Sequence, residues 1–308
     1  MTALLRSIAA PLALALTLLA GPGAAQQALP APQSVQVQPD AGPARPALWK
    51  VADEDTTIYL FGTIHLLPRG IDWFDGTIAS AFAQSRELVT EIPEVSPDAQ
   101  QVVVLRRAML PKGQKLRALL TAPERAKFDA TMQQFGLPVT AFDKFKPWYA
   151  AVVLATLPLQ QKGYDLDSGV EAQLAERSKQ QGAPRSGLET LDYQLSLFDG
   201  FPRKVQKAYL MEVIAALPDL DEDVGEMVGA WQRGDAAKLA ELMNAEEDDP
   251  AMIQALLTNR NKAWARWIKA RLDRPGTVFV AVGAGHLGSK GSVQDQLNAA
   301  GVKTTRVQ

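Results

Sequence analysis

The sequence predicts an α/β protein: a small central β-sheet built from N- and C-terminal strand–helix–strand units, with a large, mostly helical insertion between them. Three observations carry this. "TIYLFGTIH" (57–65) and "GTVFVAVGAGH" (276–286) are short, β-branched and apolar runs bounded by turn residues, the pattern of buried strands. Each is followed by a helical pattern and then another strand. From about residue 97 to 273 nearly every segment has helical spacing.

The elements follow in chain order. "ALWKVA", "DEDTT" and "TIYLFGTIH" read as strand, tight turn, strand, a hairpin with an acidic turn. "WFDGTIASAFAQS" spaces Phe74, Ile78, Ala81 and Phe82 on one helical face, and "RELVTEIPE" is a short strand with Glu91 near its end. Ser96 caps a helix that has Pro97 in its first turn. Thr121 and Glu124 form a capping box, and Gly136 stops that helix. "PWYAAVVLATLPLQ" is apolar all round and predicts a buried helix. "DSGVEAQLAERSKQQG" is amphipathic, and "PRSGLET" is a short strand ending at Glu189. Helices continue to "PAMIQALLTNRNKAWARWIKARLDR", with no solenoid period. Strand, helix ("SVQDQLNAAG") and strand ("VKTTRV") close the chain.

The N-terminus is read as a leader. Arg6, an apolar run and "GPGAAQQ" form a secretory signal with a cut after Ala25, so residues 1–25 are expected to leave a periplasmic or secreted protein. The run is short for a membrane span, and no stable membrane insertion is expected after cleavage. Residues 26–46 are Pro-, Gln- and Ala-rich and predict a disordered linker, with one domain over 47–308 and order beginning near Leu48. The chain has no cysteine, which excludes disulfides, thiolate metal sites and cysteine nucleophiles. Net charge is −2, and losing Arg6 makes it −3; no basic block exists, so nucleic acid is not an expected partner. The acidic runs 219–223 and 246–249 lack the spacing of a calcium loop and read as solvated helix starts.

The chain has two histidines, and each lies three residues after a glycine at a strand end: Gly62-Thr-Ile-His65 and Gly283-Ala-Gly-His286. In open α/β sheets ligands bind at the carboxyl ends of strands. If those two strands are neighbours, His65 and His286 meet. Glu91 occupies the same kind of position. Two imidazoles and a carboxylate from three strand ends make an open metal set, and a bound ion would supply hydroxide near neutral pH. Arg260, between two amides in "TNRNKAW", is placed to hold a carboxylate or an oxyanion. The competing readings are a hydrogen-bonded structural histidine, solvated strand ends for Glu91 and Glu189, and a plain salt bridge for Arg260. Asp165 and Asp167 read as turn and cap residues, and the tryptophans as core or groove. "GxSxG" and "HExxH" are absent, which removes those hydrolase classes. "GSKGS" lacks the full phosphate-loop spacing and reads as the cap of the helix after His286.

"LFGTIHLLP", "LVTEIPE", "GLETLDYQLSLFDG", "TNRNKAWARWI" and "FVAVGAGHLGSKGSVQDQLNAAG" resemble the TraB/GumN/PrgY family, in its GumN-like branch, across residues 47–308. That family is similar to the Tiki metalloproteases and more remotely to erythromycin esterase and ChaN. The resemblance implies an exported metal-dependent hydrolase, peptidase-like, using a divalent ion such as Mn, Co or Zn. It implies metal ligation by His65, His286 and Glu91, and catalytic roles for Glu91, Arg260 and Glu189. The substrate class implied is a peptide or other small molecule. The rival is a non-catalytic periplasmic module that binds haem, a peptide or a polysaccharide precursor. Gly285, beside His286, departs from the pattern and predicts a mobile second loop.

Overall fold

Four parallel strands present their carboxyl ends on one side of a six-stranded sheet, and the candidate residues stand on those ends. The computed structural model describes residues 43–74, 76–243, 250–288 and 290–308. The strands are β1 (Leu48–Ala52), β2 (Thr56–Thr63), β3 (Glu87–Thr90), β4 (Arg185–Gly187), β5 (Gly276–Gly283) and β6 (Thr305–Arg306), in the spatial order β4-β3-β5-β2-β1-β6. β4, β3, β5 and β2 run parallel, while β1 and β6 add antiparallel. The β1–β2 turn is held by Asp53, whose side chain accepts from the Thr56 backbone N–H at 2.9 Å.

The helices are α1 (Gly76–Gln84), α2 (Pro97–Ala108), α3 (Ala122–Gln134), α4 (Pro147–Gln161), α5 (Val170–Gln180), α6 (Leu191–Asp199), α7 (Arg203–Ala216), α8 (Leu220–Gln232), α9 (Ala236–Met243), α10 (Asn259–Arg271) and α11 (Val293–Ala299). The expected caps are present: Ser96 on α2, the Thr121–Glu124 box on α3, and Ser292, from the GSKGS segment, on α11. Asp165 accepts from the Asp167 N–H and pairs with Arg69, a turn role. α8 begins within the acidic run 219–223. The run 246–249, the leader and most of the linker lie outside the described residues. Ala44 and Arg45 belong to the predicted linker. Yet they donate backbone hydrogen bonds to the carbonyls of Asp72 and Gln232, so order starts ahead of Leu48. Among the described residues no helix is long and apolar enough to cross a membrane.

The chain divides into two units. One consists of Val95–Tyr164 and Leu191–Glu222 and is helical. In it α4 packs on α7, α3 on α7, and α2 on α6. The apolar α4 is buried almost throughout, as its sequence demands. The other unit holds the sheet, made from 43–94, Asp165–Thr190 and Asp223–Gln308. Strand alternation sorts its two faces. Ile58, Leu60, Val278, Val280 and Val282 pack with Trp264, Ile268 and Leu297 of α10 and α11. On the opposite face Phe61 and Phe279 meet in rings with Phe82, Trp73 and Trp231. The helical insertion is interrupted, because residues 165–190 return to the sheet unit and supply α5 and β4.

Phe279 is fully buried and touches three aromatic rings. Phe279→Ala should cost about 3–5 kcal/mol. Val102→Ala, at a 63% exposed position, should leave stability within about 0.5 kcal/mol. Urea unfolding of both variants measures the contrast.

Candidate functional site

The parallel pair β2–β5 ends in the register Thr63↔Gly283, so both histidine turns leave the sheet side by side. β3 pairs with β5 as far as Thr90↔Ala281, which places Glu91 beside Gly283. The Gly283 N–H donates to Glu91 Oε1 at 2.7 Å. β4 lies beyond β3. The Glu189 N–H donates to the Glu91 carbonyl at 2.8 Å, so the two glutamates are neighbours. The turns pack closely at Gly62, where a Cβ would stand 3.2 Å from Ala284.

Arg260 joins these strand ends. It sits on the second residue of α10, directly after a π-helical turn at Gln254–Thr258. Its guanidinium is almost fully buried. Nε donates to Glu189 at 3.0 and 3.1 Å; Nη2 donates to Glu91 at 2.5 Å and to Glu189 at 2.9 Å. Nη1 donates to the Leu256 carbonyl at 3.1 Å and to His286 Nε2 at 3.1 Å. All five guanidinium hydrogens therefore have acceptors within the protein. This is the ion-pair reading of Arg260, and it leaves no N–H for an oxyanion.

His286 is fixed by the same network. Arg260 can only donate, so Nε2 accepts, and Nδ1 carries the proton to Asn261 Oδ1 at 2.6 Å. The Asn261 amide donates in turn to the Gly291 carbonyl at 2.9 Å, which sets its orientation. The ring lies on Trp264, 4.4 Å between centroids. Burial and then the Arg260 charge push the His286 pKa down to about 3, so it is neutral at pH 7. For Glu91, burial alone would raise the pKa. Arg260 and the neighbouring imidazoles more than offset this and hold the carboxyl well below the usual range. Trp264, expected in the core, also donates its indole N–H to Glu189 at 2.9 Å.

His65 stands apart from this network. Its Nδ1 lies 2.9 Å from Glu171 Oε1, in the first turn of α5, and Thr63 Oγ1 donates to the same oxygen. The start of α5 is seated on the histidine turn itself. The Val170 N–H donates to the Ile64 carbonyl at 3.0 Å, and a Cβ on Gly169 would fall 2.1 Å from the His65 carbonyl oxygen. His65 Nε2 and Glu171 Oε2 are buried and have no hydrogen-bond partner among the described residues. The side chain is 17% exposed, against 4% for His286. Burial would lower the His65 pKa, but Glu171 and Glu91 overcome that and raise it above 6.5.

The two Gly-x-x-His copies thus differ. His286 ends a 3-10 turn and is covered; His65 lies in a bend seated against α5, and its buried Nε2 has no partner among the described residues. Gly285 has a φ outside the left-handed region, and a Cβ there would come 3.0 Å from the flexible end of Met243. The expected metal set is not presented as an open triad. Of its three members only His65 has a side-chain nitrogen without a partner among the described residues. His286 Nε2 and Glu91 Oε2 both accept from Arg260. Among the described residues no three His, Asp or Glu side chains are arranged to hold an ion. Sequence reading missed Glu171, Asn261 and Thr63. Glu171, in "SGVE", looks like an ordinary first-turn acid and carries no distinguishing signal in the sequence.

A model of the TraB/PrgY/gumN family matches residues 47–306. The chain belongs to that family. It is also similar to YbaP of Escherichia coli (strain K12), an uncharacterized protein, at 25% identity over 190 residues, covering 62% of this chain and 70% of the relative. The Shigella flexneri YbaP matches with the same identity and coverage. No solved structure matches.

Removing Arg260 leaves Glu91 and Glu189 buried without their cation. Arg260→Ala should destabilise by about 3–5 kcal/mol, read as a drop in urea midpoint, and Glu91→Gln in that background should recover part of it. His286 also makes stability depend on pH. Its folded pKa, about 3, lies below the ordinary 6.5. Its contribution is therefore present above pH 6.5 and lost as pH falls toward about 3, a few kcal/mol in all. His286→Gln should flatten that part of a stability–pH curve.

Proposed function

We propose that the protein is an exported hydrolase in which His65 is the general base, acting on peptides. One observation carries the reading: His65 Nε2 is buried with no partner among the described residues, while Nδ1 is held by a carboxylate. Glu171 Oε2 likewise has no partner among the described residues. A buried imidazole nitrogen with no partner among the described residues can accept from a donor such as water. Water placed there would give its proton to Nε2, and the hydroxide would attack a substrate carbonyl. Nε2 would return the proton to the leaving amine.

The other acids and bases are poorer candidates. Glu91 is held far below the usual carboxylate range and is a weak proton acceptor at neutral pH. His286 has a depressed pKa and a capped Nε2. In this mechanism Arg260, Glu91, Glu189 and His286 form the wall that keeps the strand ends together. Family membership and the resemblance to Tiki proteases support the hydrolytic and peptide parts. Export rests on the leader-like residues 1–25. A metal-dependent version, which the same resemblance implies, is also favoured by a histidine oriented by a carboxylate. It requires Arg260 to release Glu91 and His286.

Incubation of the full chain with a peptide library, read by mass spectrometry, tests this. Cleavage should persist after dialysis against chelator and vanish in His65→Ala. It should fall as pH drops through the His65 pKa, because the protonated ring cannot accept. Loss of cleavage on chelation would favour the metal version. Binding without turnover would favour a module that captures haem, a peptide or a polysaccharide precursor.

A further inference from the structure

Each imidazole receives its Nδ1 partner from the first turn of a helix: Glu171 on α5 for His65, Asn261 on α10 for His286. For His286 the partner completes a closed chain of donors and acceptors. For His65 the chain stops at the ring, and the buried Nε2 has no partner among the described residues.

We infer that Glu171 is the positioning residue of the site: it fixes neutral His65 in the Nδ1–H tautomer, so that the lone pair of Nε2 faces the reacting donor. The geometry supports this on three counts. Glu171 Oε1 is a pure acceptor 2.9 Å from Nδ1, so at alkaline pH, where imidazole is neutral, the proton must sit on Nδ1. Thr63 donates its hydroxyl to the same oxygen and holds the carboxylate in place. The backbone on both sides is locked, because Val170 N–H binds the Ile64 carbonyl and Gly169 lies against the His65 carbonyl with no room for a Cβ. Free imidazole has no such lock, and the ring nitrogen that is protonated is set by the hydrogen bond the other makes. The inference rests on the general-base reading for its consequence, but the tautomer itself is a property of the resting protein.

The chain has only two histidines, so side-chain 1H–15N correlation of the untagged, 15N-labelled full chain at alkaline pH shows two imidazoles. His286→Gln assigns them. His65 should show a protonated Nδ1 and a bare Nε2. Glu171→Ala should shift His65 toward the Nε2–H form and leave the His286 pattern unchanged. Glu171→Gln, whose amide oxygen still accepts, should keep Nδ1–H. In the cleavage assay Glu171→Ala should lower kcat while KM holds, since the group touches the base and not the substrate. A wild-type His65 bearing Nε2–H overturns the inference, as does a His65 pattern indifferent to Glu171→Ala. If that variant fails to fold, the His286 pattern is lost with it, and the wild-type and Glu171→Gln spectra decide alone. Absence of peptide cleavage would overturn the proposed function and leave the tautomer result standing.

Discussion

A buried guanidinium is the constraint on which the site depends. Moving an unpaired cation out of water costs several kcal/mol, so Arg260 is tolerable only with its charge and every N–H answered. The answers come from four separate elements: Glu91 after β3, Glu189 after β4, His286 after β5, and the Leu256 carbonyl in the π-helical turn before α10. No two of the three side chains are near in sequence. The demand for complete satisfaction therefore acts as a long-range tie among the parallel strand ends.

That tie has a chemical consequence. By accepting from Arg260, His286 is fixed in one tautomer and kept neutral, and Glu91 is kept ionised. Neither is left as a ready proton acceptor. His65 is oriented from the other side by α5 and Glu171, and its Nε2 has no partner among the described residues. Two histidines in nearly the same sequence setting thus have opposite properties. The difference lies in what approaches each ring from outside the sheet. A π-helical turn is a frequent companion of functional sites, and here it precedes the helix that carries Arg260 and Asn261.

Much of this was legible in the sequence. Apolar β-branched runs fixed β2 and β5 as buried strands, and their parallel pairing put His65 and His286 on adjacent ends as their placement required. Glu91, Glu189 and Arg260 were visible as charges at strand ends and in an amide-flanked helix, and the structure brings all three together. Glu171 was not visible, because one acid in the first turn of an amphipathic helix is an ordinary feature. Its role depends on where α5 docks.

The sequence alone determined the elements, their caps, the α/β class and the short set of residues with chemistry to offer, because periodicity and local hydrogen bonding are encoded within a few residues. Only the tertiary structure decided the roles. It showed that Arg260 spends every donor on the protein, and that His286 Nε2 accepts from Arg260 while His65 Nε2 has no partner among the described residues. Those outcomes turn on which groups, distant along the chain, arrive within about 3 Å of one another, and burial makes each such meeting obligatory. No local pattern records that.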